Sequence, residues 1–389
     1  MIYLDNNATT PLHPEVIRAI TEFLPFFGNP SSAHSTGRAV RQIIEDSRSE
    51  AASFLNCLPE EIIFTASGSE ANNTILKSAC ECRCRYKCNP ASKAHIISSN
   101  IEHPSVLSTL KCLEHQGVEV TYVPVSPQGI VDPDDVRRAI RPDTALISIM
   151  AANNEIGTLQ PIEAITQLAH EHDIEMHTDA VQAAGKIILD LKKLPVDSLS
   201  ISGHKIYAPK GVGILYKRKG SRKLCPLING GHQENELRAG TENTIGIIAA
   251  GEAFRQLKKE MDTEIVHVLR LRKKLEKGIL EKIPDVIING DIEKRLPGTV
   301  NFSFKYIEGE SIMLRLDMHG IAVSTGSACA TGSLDPSPVI LALGAEAERA
   351  HGSIRFSLGR QNTEQEIETA VEKTAETVAF LRRLSPLKA

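Results

Sequence analysis

Between residues 62 and 216 the chain alternates short β-branched runs with longer amphipathic stretches, a rhythm that few folds accommodate. The strand-like runs fall at 62–66, 95–99, 118–125, 145–150, 175–179, 198–202 and 212–216. Helical patterns lie between them at 69–80, 104–115, 133–140 and 161–172, several opening on Pro or Ser as helix starts do. This order predicts an α/β fold with a mostly parallel seven-stranded sheet covered on both faces. Such sheets bind ligands outside the carboxyl ends of their strands, so chemistry is to be sought there.

After Asn243 the pattern changes to a long, charge-dense helix over 245–280, strands near 286–288 and 299–304, a helix near 310–318 and a closing helix from Thr363. The expected partition is an N-terminal segment, 1–14, packed against a small α+β domain at 250–389, with a large ligand-binding domain at 15–249. No repeat or low-complexity tract interrupts this.

Charge narrows the function classes. Lys plus Arg number 44 against 48 Asp plus Glu, a net −4, so the basic excess of a nucleic-acid binder is missing. Aromatic residues make up 4% with no Trp, too few for base-stacking platforms. No apolar run approaches the roughly 18 residues that span a bilayer, and the opening Met-Ile-Tyr-Leu-Asp-Asn-Asn lacks the basic and apolar regions of a signal peptide. A cytoplasmic protein with reduced cysteines and no membrane contact is expected.

Five segments carry chemistry. In Ser200-Ile-Ser-Gly-His-Lys205, after a strand, Lys205 suits imine formation beside a phosphate site, or is a surface lysine in a Gly-rich turn. In His177-Thr-Asp179-Ala-Val-Gln182, Asp179 suits protonation of a pyridine nitrogen, or caps a helix, and Gln182 suits a phenolic oxygen. Ser67-Gly68-Ser69-Glu70 leads a strand into a helix and offers an anion cradle, or a simple cap. His103, after another strand, suits ring stacking or proton transfer, or a structural turn. Cys329 stands among small residues in Ser324-Thr-Gly-Ser-Ala-Cys-Ala-Thr-Gly-Ser333, and Arg355 beyond it suits a carboxylate clamp or plain solvation. Together they describe a pyridoxal-phosphate site with an added thiol.

Those segments, with Tyr3-Leu-Asp-Asn-Asn-Ala-Thr-Thr10, Gly28-Asn-Pro-Ser-Ser-Ala-His34, Asn153-Asn-Glu-Ile-Gly157, Gly230-Gly-His-Gln-Glu234 and Arg238-Ala-Gly-Thr-Glu-Asn243, resemble cysteine desulfurases of the NifS/IscS type almost end to end. The long spacer from Cys329 to Arg355 resembles the group with an extended cysteine loop. The resemblance implies the fold-type I architecture of pyridoxal-phosphate (PLP) transferases. It also implies conversion of L-cysteine to L-alanine, with sulfur passing to Cys329 as a persulfide for an iron–sulfur scaffold or another sulfur-acceptor protein.

By the same resemblance Lys205 carries the cofactor and moves the Cα proton, Asp179 meets the ring nitrogen, and Gln182 and Asn154 lie near the phenolic oxygen. His103 stacks on the ring and helps deprotonate Cys329. Gly68, Ser69, Ser202 and His204 hold the phosphate, and Thr241 completes that site from the neighbouring subunit of a homodimer. Arg355 and Asn154 bind the substrate carboxylate, and Cys329 is offered as a transient ligand of an iron–sulfur cluster. Departures from the family pattern are Ser67-Gly68-Ser69, Thr325, Ala330 and Ala208, all conservative in size or donor chemistry.

A second cysteine group, Cys80-x-Cys82-x-Cys84-x-x-x-Cys88, matches neither zinc-ribbon nor ferredoxin spacing. On a helix Cys80, Cys84 and Cys88 share a face and Cys82 does not. The choice lies between incidental cysteines and a metal or sulfur relay. The expected outcome of metal analysis is equal content in Cys82→Ser and the parent; a lower content in the variant would establish a ligand.

Overall fold

The computed structural model describes residues 1–80, 94–325 and 335–386. Cys82, Cys84, Cys88 and Cys329 lie outside the described residues. The seven strands form one sheet in the order Ile62–Thr65, Gly213–Lys217, Ser198–Ser202, Glu175–Asp179, Thr144–Ser148, His95–Ser99, Glu119–Val123. Gly213–Lys217 runs antiparallel to both neighbours, and every other pairing is parallel. The carboxyl ends of the remaining six strands therefore share one edge. The alternating pattern locates each strand within three residues at either end, because these strands are mostly buried runs bounded by turns.

Helices cover the sheet. Gly68–Cys80 and Pro104–Glu114 pack with Ile63, Ile96, Leu146 and Leu215 on one face. Val40, Ile44, Ala51 and Leu55 of Ser35–Leu55 pack with Phe64, Ile97, Ile147 and Ile201 in the main core. Both Ser35–Leu55 and Pro14–Phe23 go beyond the sequence expectation; their starts are capped by His34 and His13, whose ring nitrogens accept from Gly37 and Glu15 N–H groups.

The 39-residue helix Thr244–Lys282 is about 58 Å long. Its first part buries Ile247, Phe254 and Leu257 in the main core. Its last turns bury Leu271, Leu275 and Ile279 in a second core with Leu4, Phe302, Phe304 and Phe356. That core lies on a three-stranded antiparallel sheet ordered Ser353–Ser357, Thr299–Phe304, Val286–Asn289. Ile2–Tyr3 pairs parallel with Ile321–Ala322, bringing the N-terminal segment against this second core. The closing helix Glu364–Leu384 starts in a capping box between Thr363 and Glu366. No helix among the described residues is long and apolar enough to cross a membrane.

One buried charge cluster joins the long helix to the segment before Thr299. Glu276 forms ion pairs with Arg295 at 2.6 Å and with Arg272 at 3.4 Å, with the three side chains 14%, 1% and 4% exposed. Burial lowers both arginines, Arg295 to about 10, so one carboxylate balances two reluctant cations. Glu276→Gln leaves both guanidinium groups unpaired and is expected to cost about 3 kcal/mol or more in chemical denaturation. An unchanged unfolding midpoint would show that the cluster contributes nothing to the join.

Candidate active site

Five turns at the carboxyl edge, with the N-terminal segment and Arg355 of the smaller sheet, converge on a cavity of about 340 Å3. The strand Ser198–Ser202 ends in the short 3-10 turn Gly203–Lys205, which turns Lys205 inward. Its Nζ donates to the Asn7 and Ala8 carbonyls at 2.5 and 2.6 Å. The surface-lysine alternative is thereby excluded.

Asp179 closes the neighbouring strand and is 5% exposed. One oxygen accepts the Val181 N–H at 2.9 Å and the other accepts Asn72 Nδ2 at 2.7 Å. The local turn cap and the inward-facing carboxylate are therefore one arrangement. Asn72 also donates to Ser105 Oγ, which lies 2.8 Å from His103 Nδ1. That nitrogen also accepts the Ser105 N–H, capping Pro104–Glu114. Neutral His103 thus carries its proton on Nε2 (a tautomer assigned from these partners), so Nε2 acts as a donor while the basic lone pair, on Nδ1, is engaged by the Ser105 N–H. Burial lowers the His103 pKa, with Lys205 acting in the same direction and Asp179 opposing, which keeps the ring neutral near pH 7.

Gly68 begins the helix Gly68–Cys80 at the cavity wall, and a Cβ there would stand 2.7 Å from Val181 Cγ2 and 3.3 Å from Ser202 Cβ. Its absence lets the helix N-terminus approach the strand end. Ser67, Ser69, Ser202 and His204 also line the cavity. His204 is pushed down to about 4 by burial and by Lys205, Lys210 and Lys186, and is a neutral donor. Bare backbone N–H groups, hydroxyls and a neutral imidazole form a donor set suited to a phosphate.

Arg355 is 3% exposed, which excludes plain solvation. It donates to the Asn154 carbonyl at 2.9 Å and to Asp5 at 2.7 Å, while its buried Nε has no hydrogen-bond partner among the described residues. Gln182 Nε2 donates to the Asn7 carbonyl, and its Oε1 accepts Lys186 Nζ. Thr241 is exposed and lines a separate hollow of about 130 Å3 with Phe64, Arg238 and Asn243, away from the other candidates. Sequence reasoning missed Asp5, Asn7, Asn72 and Lys186; the opening Asp-Asn-Asn and the Asn-Asn after Glu70 were the available signals.

Glu102, beside His103, is buried and pushed up to about 8, by burial first and also by Asp179, while donors from Ser99 and Met150 oppose the shift. A carboxyl whose folded pKa lies above its unfolded value contributes stability present below about pH 4.5 and lost as pH rises through about 8. Glu102→Gln keeps the acceptor for both donors and removes the titration. The variant is expected to be more stable than the parent at pH 9 by about 1 kcal/mol or more, with the gain shrinking at pH 5. A gain independent of pH would refute the assignment.

The profile of the class-V aminotransferase family matches residues 2–369. A cysteine desulfurase IscS of Dictyoglomus turgidum is 48% identical over 388 residues, covering 100% of this chain and 97% of that protein. A cysteine desulfurase of Trichormus azollae is 47% identical over 389 residues, covering 100% and 95%. Among solved structures, a NifS-like protein superposes with TM-score 0.90 at 39% identity over 98% of this chain and 100% of that one. SspA in complex with cysteine superposes with TM-score 0.80 at 34% identity over 93% and 100%.

Proposed function

Because the chain belongs to the class-V aminotransferase family and is similar end to end to curated cysteine desulfurases, it is a cysteine desulfurase, and we propose that Cys329 receives the sulfur of L-cysteine as a persulfide while L-alanine is released. The arrangement that carries this reading is the meeting of Lys205, Asp179 and Arg355 in one cavity. Further support comes from the described ends of the Cys329 stretch. Ser324 and Arg355 exchange backbone hydrogen bonds, and Ser337 donates to Glu155, next to Asn154. SspA, a similar protein, was determined with cysteine.

The residues fit pyridoxal phosphate: one cavity brings together a phosphate-type donor set, a buried carboxylate and an amine. When bound, that cofactor supplies a carbonyl carbon for amines and a ring that accepts electron density from the adjacent carbon. Gly68, Ser69, Ser202 and His204 hold its phosphate, joined by Thr241 of the neighbouring copy in a homodimer. Asp179, oriented by Asn72 and Val181, keeps the ring nitrogen protonated, and Gln182 with Asn154 serves the phenolic oxygen. His103 covers the ring.

Arg355 and Asn154 orient the substrate carboxylate. Lys205 takes the Cα proton and later returns one. Cys329 reacts as thiolate; an ordinary thiol has a pKa of about 8.5, so its proton must be removed first. Its sulfur bonds to the substrate sulfur as the substrate C–S bond breaks, leaving the electron pair with the three-carbon fragment. That fragment takes up protons and leaves as alanine. The sum is cysteine plus Cys329–SH giving alanine plus Cys329–S–SH. The persulfide then serves a cytoplasmic acceptor, an iron–sulfur scaffold or another thiolation protein.

The purified protein, given L-cysteine and a thiol reductant, is expected to release alanine and sulfide in equal, catalytic amounts. Cys329→Ala should lose sulfide release while keeping the cofactor's visible band, and Lys205→Ala should lose about 100-fold or more of alanine formation. Unchanged turnover in Cys329→Ala would overturn the persulfide route and favour a lyase that eliminates sulfur directly.

A further inference from the structure

Lys186 follows Gln182 by four residues at the end of the segment leaving Asp179. It is half-buried, and its ammonium group donates to Gln182 Oε1 at 2.8 Å and to Asn7 Oδ1 at 3.1 Å. Both contacts meet amide oxygens, which only accept, and Nζ has N–H groups for the two of them whether it is an ammonium or a neutral amine. Two amides are thereby fixed against end-for-end rotation. The Gln182 N–H end is turned to the Asn7 carbonyl, 2.9 Å away, which also receives Lys205. The Asn7 N–H end is turned to the Asn154 carbonyl and Thr299.

The charged groups around Lys186 make its presence costly. Lys205 and Arg355 repel it, and among the described residues Glu264 of Thr244–Lys282, which accepts the Tyr207 hydroxyl, offsets them. Burial, with those two cations, pushes Lys186 down to about 7. A third cation beside two others is retained against this cost where its donors do something an apolar side chain cannot.

We propose that Lys186 is a positioning residue: by holding the oxygens of Gln182 and Asn7, it presents Gln182 to the cavity as a hydrogen-bond donor beside Lys205. The inference rests on the cofactor reading above and extends it to a residue outside the cavity lining. A donor at Gln182 favours a negatively charged oxygen on the ligand; a freely rotating amide offers an acceptor part of the time.

The test is the pH midpoint of the visible absorbance change of the holoenzyme in the parent, Lys186→Met, Gln182→Leu and the double variant. Lys186→Met is expected to raise the midpoint by about one pH unit or more, since a nearby donor and cation disfavour protonation there. In the Gln182→Leu background the same substitution should move it by no more than about 0.3 unit, the signature of one pathway shared by two residues. Equal shifts in both backgrounds would show Lys186 acting as a bare charge and overturn the proposal, as would no shift in either.

Lys186→Gln, which keeps an N–H donor without the charge, is the second variant and carries the test alone if Lys186→Met does not fold. A midpoint within about half a unit of the parent supports positioning, and a rise of a full unit or more overturns it. A parent without any visible band would instead remove the cofactor reading itself.

Discussion

The main-chain carbonyl of Asn7 accepts both Lys205 Nζ and Gln182 Nε2, and the rest of the site is arranged around that shared acceptor. The same residue donates its backbone N–H to Ser357 Oγ and its side-chain N–H group to Thr299 and Asn154. One asparagine, 3% exposed, therefore ties the turn after the seven-stranded sheet to strands of the smaller sheet. Lys205 and Arg355 come from different cores, and a single short segment sets their separation. The pairing of Ile2–Tyr3 with Ile321–Ala322 holds that segment in place from its other side.

Electrostatics follow from the same packing. Lys205, Lys186 and Arg355 converge with Asp179 and Asp5, while His204 and Glu102 are shifted toward their neutral forms. Lys205 and Arg355 reach the cavity itself, and both suit a phosphate and a carboxylate arriving together. Removing water makes each of these charges count for more than it would at the surface. It also explains why the neutral groups are neutral: adding His204⁺ to the cations would worsen the repulsion, and ionising Glu102 would place a second anion near Asp179.

The long helix Thr244–Lys282 gives this arrangement its rigidity, since it is buried in both cores and crosses between them without a break. The cluster of Glu276, Arg272 and Arg295 clamps its second half to the segment entering Thr299–Phe304, the strand whose first residue, Thr299, contacts Asn7. Mechanical continuity from the helix to the cavity therefore runs through a handful of buried polar contacts rather than through apolar packing alone.

Much of this was legible in the chain itself. Strand and helix periodicity is a local property, so the seven strands and the long helix emerged close to their observed limits. Lys205, Asp179, Gly68 and His103 stand at strand ends, where a parallel sheet exposes its chemistry, and position alone marked them. The helices Pro14–Phe23 and Ser35–Leu55 were less legible, the second because its polar opening and small residues blur the apolar stripe. What the sequence determined by itself was therefore the element order and the residues that local turns present. Only the tertiary structure decided that Asn7, Asn72 and Lys186 belong to the site and that Arg355 faces Asp5. The physical reason is range: the bonds from Asn72 to Asp179 and from Asp5 to Arg355 close over 107 and 350 residues, and no local pattern of charge or hydropathy records a contact made at that distance.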